Sequence, residues 1–236
     1  MSIKIGQASL GETGGRNQQP GNQTGRELNI SNWYNGRWLG VLRYKSRKKA
    51  ERAAQTCEAA IKNRNIGYDM DDRNTAYEAA RAVGWDVSKI TKPVETDCSG
   101  LMTLCAVAAG CEAVAALYKK QGNSCTTYCM LDDWPATGDF KLLIGSKYLK
   151  TDANLLRGDV LVSEGHTVMA LEDGKNAEEE TEMVEKSKII VDGKEVAVER
   201  ILKDGTNYVK VRDIAAALDL EVSNKGNIAV LTHKEK

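Results

Sequence analysis

Two residues of this sequence have the types and surroundings that attack on a carbonyl group requires. Cys98 stands three residues before Leu101, where an apolar stripe with helical spacing begins, which predicts that it lies in the first turn of a helix, on the buried face. Unpaired backbone N–H groups and the helix dipole favour negative charge there, which is the charge of an attacking thiolate. Histidine is the usual base for such a thiol because its pKa lies near neutrality. Of the 2 histidines, His233 stands in a polar tail, so His166 is the candidate base.

Apolar periodicity indicates the elements that must position these two residues. Three helices are predicted, from a cap at Ser46 to about Asn63, from about Arg73 to Val83, and from Cys98 to Gly110. Residues 158–162 and 166–171 flank the turn Ser163-Glu-Gly165, which predicts a β-hairpin with His166 at the start of its second strand. Residues 1–45 are rich in Gly, Asn and Gln and are predicted to be loop with short strands.

The charge and hydropathy of the chain disfavour two classes of partner. The 33 lysines and arginines balance 33 aspartates and glutamates, so no strong overall field attracts nucleic acid or an anionic membrane. No segment approaches the ~20 apolar residues that a membrane span needs. The N-terminus lacks a charged leader followed by an apolar run, so synthesis in the cytoplasm without a signal peptide is expected.

The cysteines are predicted to be free thiols, and no metal or other cofactor is predicted. A chain made in a reducing compartment rarely carries disulfides. The sequence contains no Cys-x-x-Cys pair, and both histidines are badly placed to complete a tetrahedral zinc site.

A change of composition after Gly174 divides the chain into predicted domains. Residues 1–174 are predicted to form the catalytic domain, and residues 175–187 an acidic linker without buried periodicity. Residues 188–236 contain a predicted hairpin, a short helix near 211–218 and a further strand. Because so small a β-rich unit has a thin core and exposed strand edges, we expect it to pair with a second copy, forming a homodimer, or with the catalytic domain.

Paired motifs give the chain a resemblance to a known family. The motifs Asp97-Cys98-Ser99-Gly100-Leu101, Gly158-Asp159-Val160 and Gly165-His166-Thr167-Val168 resemble those of NlpC-type cell-wall cysteine peptidases, relatives of the CHAP amidases. The wider segment from Ile5 to about Gly174 is similar to the catalytic domain of endolysins from phages of clostridia and related Firmicutes. About the last 50 residues resemble a copper amine oxidase N-terminal-like (stalk) domain, a name that implies no copper here.

The resemblance implies both an architecture and a substrate. The expected fold is α+β: a papain-like domain in which the nucleophile helix packs on an antiparallel sheet, followed by a small β-rich domain. The expected substrate is the peptide part of peptidoglycan. An enzyme of this kind is made in the bacterial host cytoplasm and acts at the cell wall after release through a holin pore.

The resemblance also implies roles for four further residues. In the family a polar residue on or beyond the histidine strand orients the imidazole; Glu172 is predicted for this role because strand alternation places it on the face of His166, and Asp173 is the alternative. Tyr68 resembles the family tyrosine that helps to polarise the scissile carbonyl. Gln23 is a candidate for a papain-like oxyanion donor beside the backbone N–H of Cys98.

Three functions are compatible with these observations. The leading hypothesis is hydrolysis of the muramoyl–L-alanine amide or of a stem-peptide bond. A transamidase or acyltransferase would use the same Cys–His pair, because an acyl-enzyme does not choose its acceptor. The third is a cell-wall-binding or phage structural module without catalytic activity.

Overall fold

The chain divides into two compact units, residues 1–178 and 179–236. The structure is a computed structural model that describes residues 2–10, 15, 26–177, 185–203, 206–226 and 228–233. None of the helices within these ranges is both long enough and apolar enough to cross a bilayer.

The first unit mixes helices and strands throughout its length. Its strands are β1 (Lys4–Ala8), β2 (Leu28–Asn32), β3 (Gly40–Tyr44), β4 (Ile66–Tyr68), β5 (Val94–Thr96), β6 (Phe140–Leu143), β7 (Val160–Ser163) and β8 (His166–Ala170). Its helices are α1 (Arg47–Lys62), α2 (Thr75–Ala82), α3 (Cys98–Ala108), α4 (Glu112–Gln121), α5 (Thr127–Ala136) and α6 (Ser146–Leu149). The short strands predicted within residues 1–45 and the three predicted helices are all present.

One antiparallel sheet organises this unit. Its strand order is β2-β1-β8-β7-β3-β6, and each neighbouring pair is antiparallel. Side chains of α1 and α3 share a buried cluster with one face of the sheet, through residues such as Leu104, Leu42 and Val160. Val41, Leu161 and Val168 contribute to a second cluster on the other face, as strand alternation requires. The unit is therefore α+β, with helix α3, which begins at Cys98, packed on an antiparallel sheet.

Local sequence accounts for the start of α1 and for the hairpin that carries His166. The side chain of Ser46 accepts a hydrogen bond from the backbone N–H of Lys49 and so caps α1, as predicted. Ser163 pairs with His166 across the predicted hairpin of β7 and β8. Gly165 in its turn has φ +78°, a left-handed conformation that glycine adopts without steric cost.

Two of the cysteines differ from the expectation of free thiols. Cys125, two residues before α5, and Cys129, in its first turn, form a disulfide, and their Cα atoms are 6.1 Å apart. That separation lies within the range that a disulfide spans. The expectation of free thiols rested on the reducing compartment and not on the distance between particular cysteines. The remaining thiols, Cys57, Cys98, Cys105 and Cys111, are free and buried.

The second unit is small and rich in strands. Its elements are β9 (Glu185–Val191), β10 (Lys194–Lys203), β11 (Thr206–Val209), α7 (Val211–Ala217), β12 (Leu220–Lys225) and β13 (Ile228–His233). Strands β11, β10 and β9 form one antiparallel sheet, and β12 and β13 form a hairpin. Val198 and Ala215 are its buried apolar residues among those described, which agrees with a thin core. Pairing of this unit with a second copy stays a prediction.

Candidate active site

The start of α3 has a specific capping arrangement. Strand β5 leads into Asp97, the N-cap residue, whose carboxylate accepts a hydrogen bond from the backbone N–H of Gly100 at 2.5 Å. A Cβ atom on Gly100 would lie 2.6 Å from Oγ1 of Thr96 and 2.9 Å from the carbonyl oxygen of Arg73. The Asp97-Cys98-Ser99-Gly100 motif therefore places Cys98 at the first helical position and requires glycine two residues later.

A buried arginine holds this capping residue in place. Arg73 donates from Nη2 to the carboxylate of Asp97 at 3.1 Å and to Oγ of Ser99 at 2.6 Å. Its Nη1 donates to the carbonyl oxygen of Ser124 at 3.1 Å, just before α5. Arg73 and Asp97 are both buried, so removing either partner would leave a buried charge without its counterion.

The thiol of Cys98 is protonated at neutral pH in this arrangement. Its side chain is buried, and burial together with the negative charge of Asp97 raises its pKa to about 11. The backbone N–H groups of Thr167 and Ser99 and the positive charge of Arg73 oppose this rise. Burial therefore raises the pKa of Cys98 by more than the N–H groups at the helix start lower it, so the thiolate expected from the helix start alone does not form.

His166 is the first residue of β8, and its ring is half-buried. Its Nε2 atom lies 2.9 Å from Oε1 of Gln7 on β1. Burial lowers the pKa of His166, because a charged imidazolium loses hydration there, and the charge of Asp97 partly opposes this. The imidazole is therefore neutral at neutral pH and able to accept a proton.

One cleft brings the thiol, the imidazole and the predicted tyrosine together. It has a volume of about 320 Å³, and Cys98, His166 and Tyr68 are all on its walls. The other lining residues are Ser9, Leu10, Met70, Asp97, Ser99, Thr126, Thr127, Tyr128 and Gly165. Leu10, Met70 and Tyr128 are exposed apolar or aromatic residues, so the cleft combines a thiol and an imidazole with exposed apolar side chains.

Comparison with known proteins decides the family. Residues 5–177 match the family model of an endolysin-like domain, a segment that covers most of the chain and contains the whole cleft. This chain belongs to the endolysin-like domain family. Membership indicates a phage-type enzyme that lyses the bacterial cell wall and acts on peptidoglycan, and it fits synthesis in the cytoplasm followed by action at the wall. No match was found among curated proteins or among solved structures.

In this endolysin-like domain the two predicted carboxylates do not lie at His166. Glu172 accepts a hydrogen bond from the backbone N–H of Lys4 at 2.9 Å, and Asp173 accepts one from the backbone N–H of Arg157 at 2.7 Å. Strand β8 ends at Ala170. Alternation placed Glu172 on the correct face, but six residues of extended chain span about 20 Å, which is beyond the reach of a hydrogen bond.

Gln7 occupies the position that sequence reasoning assigned to those carboxylates. One feature of the sequence points to Gln7. Ile3, Ile5 and Gln7 stand at alternate positions of a strand, all three are buried, and Gln7 is the polar one. Nothing local shows that this strand lies beside β8. The predicted oxyanion donor Gln23 lies outside the described residues.

One group of side chains within the described ranges has the chemistry to hold a metal ion. The ligand atoms of Cys125, Cys129 and Asp133 lie within 4.8 Å of one another. The two sulfur atoms are joined in the disulfide, and a disulfide sulfur lacks the negative charge of a thiolate ligand.

Proposed function

We propose that this endolysin-like domain is a papain-like cysteine hydrolase that cleaves an amide bond of peptidoglycan, with Cys98 as nucleophile and His166 as base. The single observation that carries the proposal is the cleft in which a buried thiol at a helix start and a neutral imidazole share the walls, within a family of cell-wall lytic enzymes. A thiol with a nearby neutral base is the minimum that covalent attack on an amide requires.

The reaction begins from two neutral groups. As a substrate carbonyl enters the cleft, the imidazole of His166 takes the thiol proton while Sγ of Cys98 bonds to the carbonyl carbon. The imidazolium gives this proton to the leaving amine, and the C–N bond breaks to leave a thioester on Cys98. A water molecule that loses a proton to the same imidazole then attacks the thioester, which releases a carboxylic acid and restores the thiol.

The negative charge that develops on the carbonyl oxygen needs donors close to the sulfur. The backbone N–H of Cys98 is one candidate, because the first N–H groups of a helix have no intrahelical acceptor. Tyr68 is the second, since it lines the same cleft and strand pairing sets it opposite Thr96, two residues before the nucleophile. A role for Gln23 stays a prediction.

The remaining alternatives differ in which bond is cut, in what accepts the acyl group, and in whether any bond is cut at all. The candidates are the muramoyl–L-alanine amide and the bonds of the stem peptide. A transamidase would form the same thioester and transfer the acyl group to an amine instead of water. A wall-binding module would leave every bond intact.

Product analysis on purified cell walls tests the proposal. Walls incubated with the full chain are expected to release fragments with new free amino groups and no new reducing ends, and mass spectrometry of the fragments identifies the bond. Fragments that incorporate an added amine would replace the hydrolase by a transamidase. Walls that the protein binds without chemical change would contradict the catalytic proposal altogether.

The pH profile of kcat/KM is a second test, because the base must be neutral to accept the thiol proton. Burial lowers the pKa of His166 from the ordinary value of 6.5, so the neutral base persists into more acidic solution. We therefore expect the acid limb of the profile to have its midpoint below 6.5. Kinetics on a soluble muropeptide between mildly acidic and neutral pH measure it, and a midpoint above 6.5 would rule out a buried, neutral base.

A further inference from the structure

The neighbours of β8 in the sheet show which part of the chain can orient His166. Strand β8 lies between β7, which precedes it in the hairpin, and β1 from the N-terminus. Ile5 pairs with Ala170 and Gly6 with Met169. Continued by one residue, this register places Gln7 opposite Val168, on the face of the sheet that also carries His166. Gln7 and His166 are thus diagonal neighbours, a distance that a long side chain spans.

The hydrogen bonds around Gln7 have a direction that can be traced to a backbone carbonyl. Asn29, opposite Gln7 on β2, donates from Nδ2 to the carbonyl oxygen of Arg26 at 3.2 Å. A carbonyl oxygen only accepts hydrogen bonds, so the Nδ2 end of Asn29 is identified and its Oδ1 faces Gln7. Oδ1 of Asn29 then accepts from Nε2 of Gln7 at 3.1 Å.

The other end of the Gln7 amide must therefore be its oxygen. Nε2 of Gln7 also donates to Oγ of Ser31 at 3.2 Å, which uses both of its N–H groups. Oε1 accepts the hydroxyl of Tyr34 at 3.2 Å and lies 2.9 Å from Nε2 of His166. Since an amide oxygen cannot donate, the proton of the neutral imidazole is on Nε2, and Nδ1 carries the lone pair.

We infer that Gln7 is a positioning residue that holds His166 as the Nε2–H tautomer, so that Nδ1 is the atom that takes the proton of Cys98. The inference rests on the proposed function, because a preferred tautomer matters only if the imidazole is a base. Asn29, Ser31 and Tyr34 hold the amide of Gln7, which is buried and is not among the residues that line the cleft. Gln7 therefore acts through His166 and does not touch substrate.

The tautomer itself can be measured without any turnover. Long-range proton–nitrogen NMR spectra of histidine-labelled full-length protein distinguish the two ring nitrogens, and the chain has only 2 histidines. His233→Gln removes the second signal and so assigns His166. Above the pKa of His166 we expect the wild-type ring to carry its proton on Nε2. A ring protonated on Nδ1 would overturn the inference.

Two variants of Gln7 connect the tautomer to catalysis. Gln7→Leu removes the acceptor, so we expect kcat to fall by about 10²-fold with little change of KM, and the NMR signal to shift towards the other tautomer. Gln7→Glu retains an acceptor but adds a negative charge, which stabilises the imidazolium. The acid limb of kcat/KM should then move to higher pH, a change that a purely structural role of Gln7 would not produce.

Gln55→Leu is the matched control, because Gln55 is an exposed glutamine on α1 that bonds to Glu51. It should leave kcat, the pH profile and the tautomer unchanged. A folded Gln7→Leu protein with wild-type kcat and tautomer, or a folded Gln7→Glu protein with an unmoved acid limb, would refute the role of Gln7. Should Gln7→Leu fail to fold, the wild-type tautomer and Gln7→Glu still decide the question.

The same experiments separate this inference from the proposed function. A protein that releases no wall fragments but shows the Nε2–H tautomer would refute the hydrolase while leaving the contact between Gln7 and His166 as described. An active protein with the proton on Nδ1 would refute the role of Gln7 alone.

Discussion

Replacing Cys98 by alanine is expected to lower the rate of wall cleavage by at least about 10³-fold, because no acyl-enzyme can form without the sulfur atom. Residual turnover would come only from the oxyanion donors and from binding of the substrate. The backbone at the start of α3 should be unchanged, since its capping bonds involve Asp97, Gly100 and Arg73 and not the thiol. Initial rates on walls and on soluble muropeptides measure the loss.

Cys57→Ala is the matched control for this experiment. Cys57 is also a free, buried thiol, but it lies on α1 and is absent from the cleft walls. It should retain wild-type activity and lose the packing of one sulfur atom together with its hydrogen bond to Cys105. Deleting a nucleophile typically lowers the rate far more than tenfold. If Cys98→Ala kept more than about a tenth of the wild-type rate, Cys98 would not be the nucleophile.

Replacing Asp159 by alanine is expected to lower the free energy of unfolding of the first unit by about 3–5 kcal/mol. Asp159 belongs to the Gly158-Asp159-Val160 motif and pairs with Arg43 through two contacts, of 2.9 Å and 2.6 Å. Both side chains are buried, and Asp159 also accepts the backbone N–H of Leu156 at 2.8 Å. Without the carboxylate, the guanidinium of Arg43 keeps its charge in a buried site without its counterion.

Burial raises the pKa of Asp159 even though Arg43 opposes the rise, so desolvation outweighs the attraction of the pair. The double variant Arg43→Met with Asp159→Leu should therefore lower the free energy of unfolding much less than Asp159→Ala does, since it leaves no buried charge. Denaturant unfolding followed by tryptophan fluorescence measures both. All 4 tryptophans lie in the first unit, so the signal reports on that unit.

Lys89→Ala is the control for the buried pair. Lys89 and Asp86 form an exposed ion pair at 3.1 Å, and the loss of such a pair typically changes stability by less than about 1 kcal/mol. If Asp159→Ala lowered the free energy of unfolding no more than Lys89→Ala does, water would reach Arg43 and the motif aspartate would have no structural role.

In the proposed mechanism, the protonation states of Cys98 and His166 determine how attack on the substrate begins. With the pKa of Cys98 raised to about 11 and that of His166 lowered, the resting site contains a thiol and a neutral imidazole. Proton transfer then accompanies attack on the substrate, and the thiol should react slowly with small alkylating reagents at neutral pH. Asp97 is the charge that disfavours the thiolate and favours the imidazolium, while the positive charge of its ion-pair partner Arg73 opposes the rise in the pKa of Cys98.

Sequence alone was sufficient for the parts of the molecule that depend on neighbouring residues. Ser46 was identified as the cap of α1, the turn through Gly165 as the link between β7 and β8, and Cys98 as the first buried residue of α3. Each depends on capping chemistry, glycine conformation or apolar spacing within about one or two turns of chain. The paired motifs around Cys98 and His166 likewise pointed to a cell-wall lytic enzyme, which the endolysin-like family now shows.

Only the tertiary structure determined which residue orients His166 and how the thiol ionises. The contact between Gln7 and His166 joins residues 159 positions apart, and it exists because β1 pairs with β8. Strand alternation specifies a face of the sheet but neither the neighbouring strand nor the distance along it, which is why Glu172 was chosen. The pKa of Cys98 depends mainly on how deeply its sulfur is buried. Burial arises from packing between distant segments, so the motif and its spacing do not predict it.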